Sequence, residues 1–354
     1  MAGSNSKLID IALQGGGAHG AFAWGILDYL LEDGRIEFSS ITAASAGAMN
    51  ATVMCYGMTL GGAEKARESL HDFWEDIGRA QFSWDQFVPD VMYDMFPHLQ
   101  DVKEWSHYLM MGTFTHAVSP YQFNPMNINP LKDILEQHVD FKQLHAGNTS
   151  KLYISATNVR TSKVKVFSRG EVTADVVMAS ACLPNLYQAV EIDGEHYWDG
   201  GFTGNPPLWP LFYDRESRDV LVVMLNPIER QQIPKTAAEI HNRVNEISFN
   251  SSLLKEMRAV SFVQKLIHKD MLKEEYRDAY VDILFHNIRA DQYLQDLSVA
   301  TKYNTDWMFL QALRDRGRTS ARQWLDKSYD KLGVESTVSL RDEFFEAHAG
   351  RDQV

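Results

Sequence analysis

An apolar run at 8–13, then Gln14 and Gly15-Gly16-Gly17, then an amphipathic stretch, constrain this chain more than any other feature. Phe22, Ile26, Leu27, Leu30 and Leu31 recur at helical spacing, and Asp33-Gly34 ends the pattern. Glycines between a strand and a helix permit a sharp turn and leave first-turn N–H groups without intrahelical acceptors. The arrangement repeats at once. Residues 36–44 run toward a second strand, Ser45 falls at the turn, and a helix begins at Ala46. Strand, glycine loop, helix, strand, serine turn, helix predicts an α/β fold with a parallel sheet.

Strand patterns resume in "KLYISATNV", "KVKVFS" and "DVLVVMLN", and again in "YVDILFHNI". The spacing predicts a long amphipathic helix after Pro227, interrupted near Phe249, and another over "DWMFLQALRDRGRTSARQWLDK". Residues 1–226 are expected to form the core domain and 227–335 a mostly helical extension, with 336–354 a polar tail. Between 73 and 130 the chain is dense in aromatics, methionine and proline with no clean period. That insertion reads as a lid or substrate wall, or as an irregular subdomain with its own small core.

A net charge of −13 argues against nucleic acid and against electrostatic capture by anionic membranes. A local aromatic surface still permits transient contact with a lipid interface. No apolar run approaches the roughly 20 residues of a membrane span. The start lacks the basic and apolar regions of a secretory signal, and Ala2 does not fit the myristoylation pattern. Cys55 and Cys182, the only cysteines, lie among small apolar residues and read as buried reduced thiols, so a cytoplasmic setting is expected. No group of His, Cys or Asp has metal-ligand spacing, so no metal or other cofactor is expected.

Gly15 to Gly20 suits either a phosphate cradle or an oxyanion hole. The P-loop pattern fails because no Lys-Ser/Thr follows. G-x-G-x-x-G does fit Gly15, Gly17 and Gly20, but a lone match is weak, and Glu37 precedes the next apolar run instead of ending it. Ser45 lies in Ala43-Ala44-Ser45-Ala46-Gly47, one glycine short of the nucleophile-elbow pattern. It is either a nucleophile on a strained turn or a plain helix N-cap. A serine needs a base. His241, His268, His286 and His348 lie in regular segments without turn residues, and His196 and His19 flank motifs. Asp199, before Gly200-Gly201, is the better base if desolvated, the alternative being an Asp-Gly turn.

Taken together, "LQGGGAHGAFAWGILDYLLEDG", "ITAASAGAMNA" and "MASACLPNLYQAVEIDGEHYWDGG" resemble the patatin-like phospholipases, over roughly the first two thirds of the chain. The last block matches the family's A-S-x-x-x-P … I-x-G-x-x-Y-x-D-G-G pattern over 179–201. The resemblance implies a three-layer α/β/α fold with a mainly parallel sheet. It also implies a Ser–Asp dyad without a catalytic histidine, acting on acyl esters of phospholipids, lysophospholipids or neutral lipids. Ser45 would be the nucleophile, Asp199 the base, and Gly15, Gly16 and Gly17 the oxyanion hole, with His19, Gly47, Gly200 and Gly201 lining the site. Ala43 replaces the elbow's first glycine, which is expected to tighten the turn. His19 stands where the family often carries Arg or Lys. The segment from about 227 resembles the helical extension of a bacterial subgroup. Transfer of the acyl group to an alcohol, a short hydroxyacyl ester as substrate, and lipid binding without turnover are the rival readings.

Overall fold

The computed structural model describes residues 6–80, 118–213, 215–230, 232–294, 297 and 299–345. Its strands are β1 (Lys7–Leu13), β2 (Ile36–Ala43), β3 (Lys151–Asn158), β4 (Val164–Ser168), β5 (Val190–Ile192), β6 (Glu195–Asp199), β7 (Asp219–Met224) and β8 (Leu284–Arg289). They form one sheet in the order β5-β6-β3-β2-β1-β7-β8, with β4 also paired to β3. The five strands from β3 through β8 in that order are mutually parallel, whereas β4, β5 and β6 pair antiparallel. β7 is buried along its whole length, as a parallel strand covered on both faces must be.

Among the described residues, the helices of seven residues or more are α1 (Gly20–Asp33), α2 (Ala46–Arg79, broken at Gly61-Gly62 where the backbone leaves helical geometry), α3 (Pro130–His138), α4 (Ala174–Ser180), α5 (Ala237–His268) and α6 (Trp307–Ser328). Side chains alternate between two cores. Leu221 and Val223 of β7 join a cluster with α1, α2, α4 and α6, while Val220, Val222 and Met224 pack under Leu253 and Met257 of α5. The result is a three-layer α/β/α architecture around a mostly parallel sheet, as expected. The segment after 227 does more than append helices. It adds β8 to the sheet and α6 to the layer over α1.

Three sequence expectations change in detail. Residues 73–79 of the expected insertion continue α2, and Phe73, Trp74 and Ile77 are core side chains. Trp74 stacks on Trp24 at 6.1 Å between ring centroids. Residues 81–117 of that insertion lie outside the described residues. α5 runs through Phe249 without interruption, its ring buried against Phe202. In the polar tail, Val338 and Leu340 are buried, and 346–354 lie outside the described residues.

β1 and β7 are neighbours, but their connections leave on opposite faces, through α1 and α5. A crevice therefore opens beyond their carboxyl ends. Leu13 is level with Ala43 of β2 and Val223 of β7, so the glycine loop, the serine turn and the Leu225-Asn226 segment emerge side by side.

Candidate active site

Ser45 sits between β2 and α2 with φ 53° and ψ −126°, a left-handed conformation that L side chains rarely adopt. Holding a non-glycine residue there costs about 1–3 kcal/mol, so the surroundings must over-determine it. They do. The Ser45 N–H donates to Ser180 Oγ at 2.9 Å, and the Ala44 N–H donates to Leu13 O at 3.3 Å. A Cβ on Gly47 would stand 2.4 Å from Leu13 O, so only glycine lets α2 begin against the end of β1. Ala43 is the last residue of β2, in regular register with Leu13 and Ile154. The strain falls on Ser45 itself, and the missing glycine at 43 costs the turn no left-handed residue. The Ser45 side chain makes no capping bond to α2, so the hydroxyl is not spent as an N-cap.

Asp199 ends β6, opposite Ala156 of β3, and its side chain is wholly buried. Its N–H donates to Cys182 O at 2.8 Å, and its Oδ1 accepts the Gly201 N–H at 2.7 Å. The Asp-Gly turn is therefore real, but it uses one carboxylate oxygen. Oδ2 has no partner of regular hydrogen-bond geometry. Burial pushes the carboxyl up to about 7, against the opposing pulls of the Gly201 N–H, the Ser45 hydroxyl and the Lys302 charge. The Ser45 hydroxyl is thus near enough to act on Asp199, although the pair lacks regular bond geometry.

Ser45 and Asp199 line one cavity of about 150 Å³ with Gly16, Gly17 and Ala18. Its walls are mostly apolar, from Met49, Trp74, Ile77, Leu131, Leu183 and Leu186, while Asn245 and Lys302 bring polar groups. The three glycines are not equivalent. The Gly15 N–H donates to Asn205 Oδ1 at 2.7 Å, whereas Gly16 and Gly17 have no acceptor for theirs among the described residues. A Cβ on Gly15 would stand 2.6 Å from Ser45 Cβ, so Gly15 provides room for the serine and sits behind the cavity.

His19 does not line the cavity. It is buried, its Nε2 paired with Thr301 Oγ1 at 2.8 Å, and burial pushes it down to about 3. The neutral ring satisfies one nitrogen on the neighbouring Thr301 hydroxyl. Gly47, Gly200 and Gly201 likewise do not line the cavity. No histidine lines the cavity among the described residues: His268 pairs with Asp282, and His286 with Asp219 and Thr337. His348 lies outside them.

Sequence reasoning missed the polar scaffold. Gln14 Oε1 accepts the N–H groups of Leu225 and Asn226 at 2.7 and 2.8 Å, and Gln14 Nε2 donates to Asn250 Oδ1. Asn226 Nδ2 donates to Gly15 O at 2.8 Å. The local signals are Gln14 beside the glycines and two of the four Asn-Pro pairs in the sequence, Asn205-Pro206 and Asn226-Pro227. Spacing expected no metal cluster, but His71, Asp72 and Glu75 bring three potential ligand atoms within 4.8 Å on the outer side of α2. His71 also packs edge-on against Trp24 and Trp307, and this surface cluster does not line the cavity. Cys55 and Cys182 are free and buried, which pushes both thiols up to about 12. No helix among the described residues is long and apolar enough to cross a membrane.

The family described as Patatin-like phospholipase matches residues 11–212. Among solved structures, VipD from Legionella pneumophila is similar at 15% identity and a TM-score of 0.44, over 96% of this chain and 73% of that one. The heterodimeric ExoU-SpcU complex from the type III secretion system of Pseudomonas aeruginosa is similar at 15% identity and a TM-score of 0.32, over 93% and 76%. No curated protein sequence matches.

Proposed function

This chain belongs to the patatin-like phospholipase family, and on that premise we propose that it is a serine acyl hydrolase of lipid esters with a Ser45–Asp199 dyad. One observation carries the reading. The strained, uncapped serine and the desolvated carboxylate, distant in sequence, line the same apolar cavity. Burial pushes the Asp199 carboxyl up to about 7, which suits a general base that must also return its proton.

In this mechanism the acyl chain lies along Met49, Ile77, Leu183 and Leu186, with the ester carbonyl at Ser45. Oγ attacks the carbonyl carbon while Asp199 Oδ2 takes its proton, Oδ1 remaining anchored on the Gly201 N–H. The N–H groups of Gly16 and Gly17, assisted by the N-terminal dipole of α2, hold the oxyanion. Collapse expels the alcohol, which takes the proton from Asp199. Water then attacks the acyl-serine while Asp199 accepts its proton, and as the fatty acid leaves Asp199 returns that proton to Ser45 Oγ. The alkyl walls favour a lipid acyl group as substrate, and no step draws on a metal or other cofactor.

A fluorophosphonate probe should label the wild type and not Ser45→Ala, and hydrolysis of lipid esters should vanish in that variant. Lipid binding without labelling or turnover would replace this reading with that of a binding protein. Acylated glycerol accumulating at the expense of free fatty acid would replace hydrolysis with acyl transfer.

A further inference from the structure

We propose that Lys302 is a positioning residue for the oxyanion hole, acting through Asn226 to polarise the peptide group between Gly15 and Gly16. The inference rests on the reading of Ser45 as nucleophile and Gly16 as oxyanion donor. Lys302 Nζ donates to Asn226 Oδ1 at 2.7 Å and to Asn245 Oδ1 at 3.2 Å. Asn226 is fully buried, and its Nδ2 donates to Gly15 O at 2.8 Å. The Gly15 carbonyl and the Gly16 N–H are the two ends of one peptide unit. A donor on that carbonyl draws electron density from the nitrogen, so the N–H facing the cavity becomes the stronger donor. A cation on the far side of the amide strengthens each bond in the series, since hydrogen bonds in a chain polarise one another where the dielectric is low.

The relay is built to stay in place. Asn226 is fixed from three sides: its N–H donates to Gln14 Oε1, its carbonyl accepts from Asn250 Nδ2, and its side-chain oxygen accepts from Lys302. Lys302 lies in the turn Val299–Tyr303, which the His19–Thr301 bond ties to the glycine loop. The loop itself brings no cation, because buried His19 is neutral. The charge near the oxyanion therefore comes from beyond the segment that matches the family, 11–212. Burial pushes the Lys302 ammonium down to about 8, so it still carries its charge at neutral pH; Glu246, itself paired with Arg230 and Arg243, and Asp199 favour the charged form, while Arg230 opposes it.

Lys302 also lines the cavity, so its ammonium is open to a competing role as anchor for an anionic group of the substrate. The two roles separate kinetically. The test compares wild type with Lys302→Met, Lys302→Gln, Asn226→Ala and the Lys302→Met/Asn226→Ala double variant. Each is assayed on a neutral p-nitrophenyl acyl ester and an anionic lysophosphatidic ester, with a melting curve as folding control. Deleting a whole oxyanion donor costs roughly 10²–10³ in rate, and the relay only strengthens one, so Lys302→Met should lower kcat and kcat/KM about tenfold on both substrates. KM should stay within about twofold, as for an interaction made only in the transition state. Lys302→Gln, which keeps a donor toward Asn226 without the charge, should lose about threefold by the same polarisation argument. It also keeps the test alive if the methionine variant does not fold. Asn226→Ala should lose at least as much as Lys302→Met, and the double variant no more than Asn226→Ala. Loss confined to KM for the anionic ester, an unchanged kcat, or additive losses in the double variant would overturn the relay. Retained hydrolysis in Ser45→Ala would instead sink the underlying serine reading.

Discussion

Replacing Asp199 by Asn should abolish turnover and, at alkaline pH, make the protein more stable. The Asp199 carboxyl is wholly buried, and burial pushes its pKa from 3.8 to about 7. A carboxyl that holds its proton more tightly when folded carries a penalty for ionisation only in the native state. Below about pH 4 both folded and unfolded chains are protonated, and the penalty is absent. Between about pH 4 and pH 7 the unfolded chain releases a proton that the folded protein keeps. Wild type then falls behind the Asn variant by up to roughly 1.4 kcal/mol per pH unit. Above pH 7 the full penalty stands, about 4 kcal/mol over about three pH units, an order-of-magnitude figure. Asn can still accept the Gly201 N–H, but its amide nitrogen would occupy the place of the unpartnered Oδ2. An unsatisfied buried donor there subtracts about 1–3 kcal/mol at every pH. The slope with pH, not the offset, is therefore the test. Urea unfolding of both proteins at pH 5 and pH 8.5 should show the Asn variant gaining relative to wild type as pH rises. A pH-independent difference would refute the argument that desolvation governs Asp199.

Two further outcomes follow from the same geometry. The wild-type kcat/KM should rise with pH and reach half its plateau near 7, because the base must be ionised. A half-point near 4 would mean that Asp199 is not desolvated, and an acid limb surviving in Asp199→Asn would place the base on another group. Gly47→Ala should destabilise the fold by about 1–3 kcal/mol and depress turnover, because its Cβ would stand 2.4 Å from Leu13 O and 2.9 Å from Gln14 O. Wild-type stability and rate in that variant, measured by urea unfolding and ester hydrolysis, would show that the elbow does not need the close approach.

Much of the architecture was legible because it rests on short-range patterns. Two strands, each followed by a turn of small residues and an amphipathic helix, are enough to predict a parallel sheet. Burial of β7 on both faces makes "DVLVVM" readable as a continuous apolar strand. The helix over 73–79 was not legible, since its Phe73, Trp74 and Ile77 blend into the aromatic-rich residues that follow. Phe249 looked like an interruption because its aromatic ring sits within a polar stretch, yet it faces Phe202 beneath α5.

For the candidate site, sequence alone determined the residue types at each turn: glycines after β1, a serine before α2, an aspartate before Gly200-Gly201. These are local demands of chain reversal and helix initiation, and neighbouring residues report them. Tertiary structure decided how each group is employed. It brings Asp199 beside Ser45 by running β6 antiparallel to β3. It commits the Gly15 N–H to Asn205, while Gly16 and Gly17 line the cavity with no acceptor for theirs among the described residues. It turns His19 toward Thr301 and reaches the glycine loop with Lys302 through Asn226. Whether a donor is free or a charge is desolvated depends on what packs against it. Those partners come from strands and turns tens to hundreds of residues apart, where no spacing rule applies.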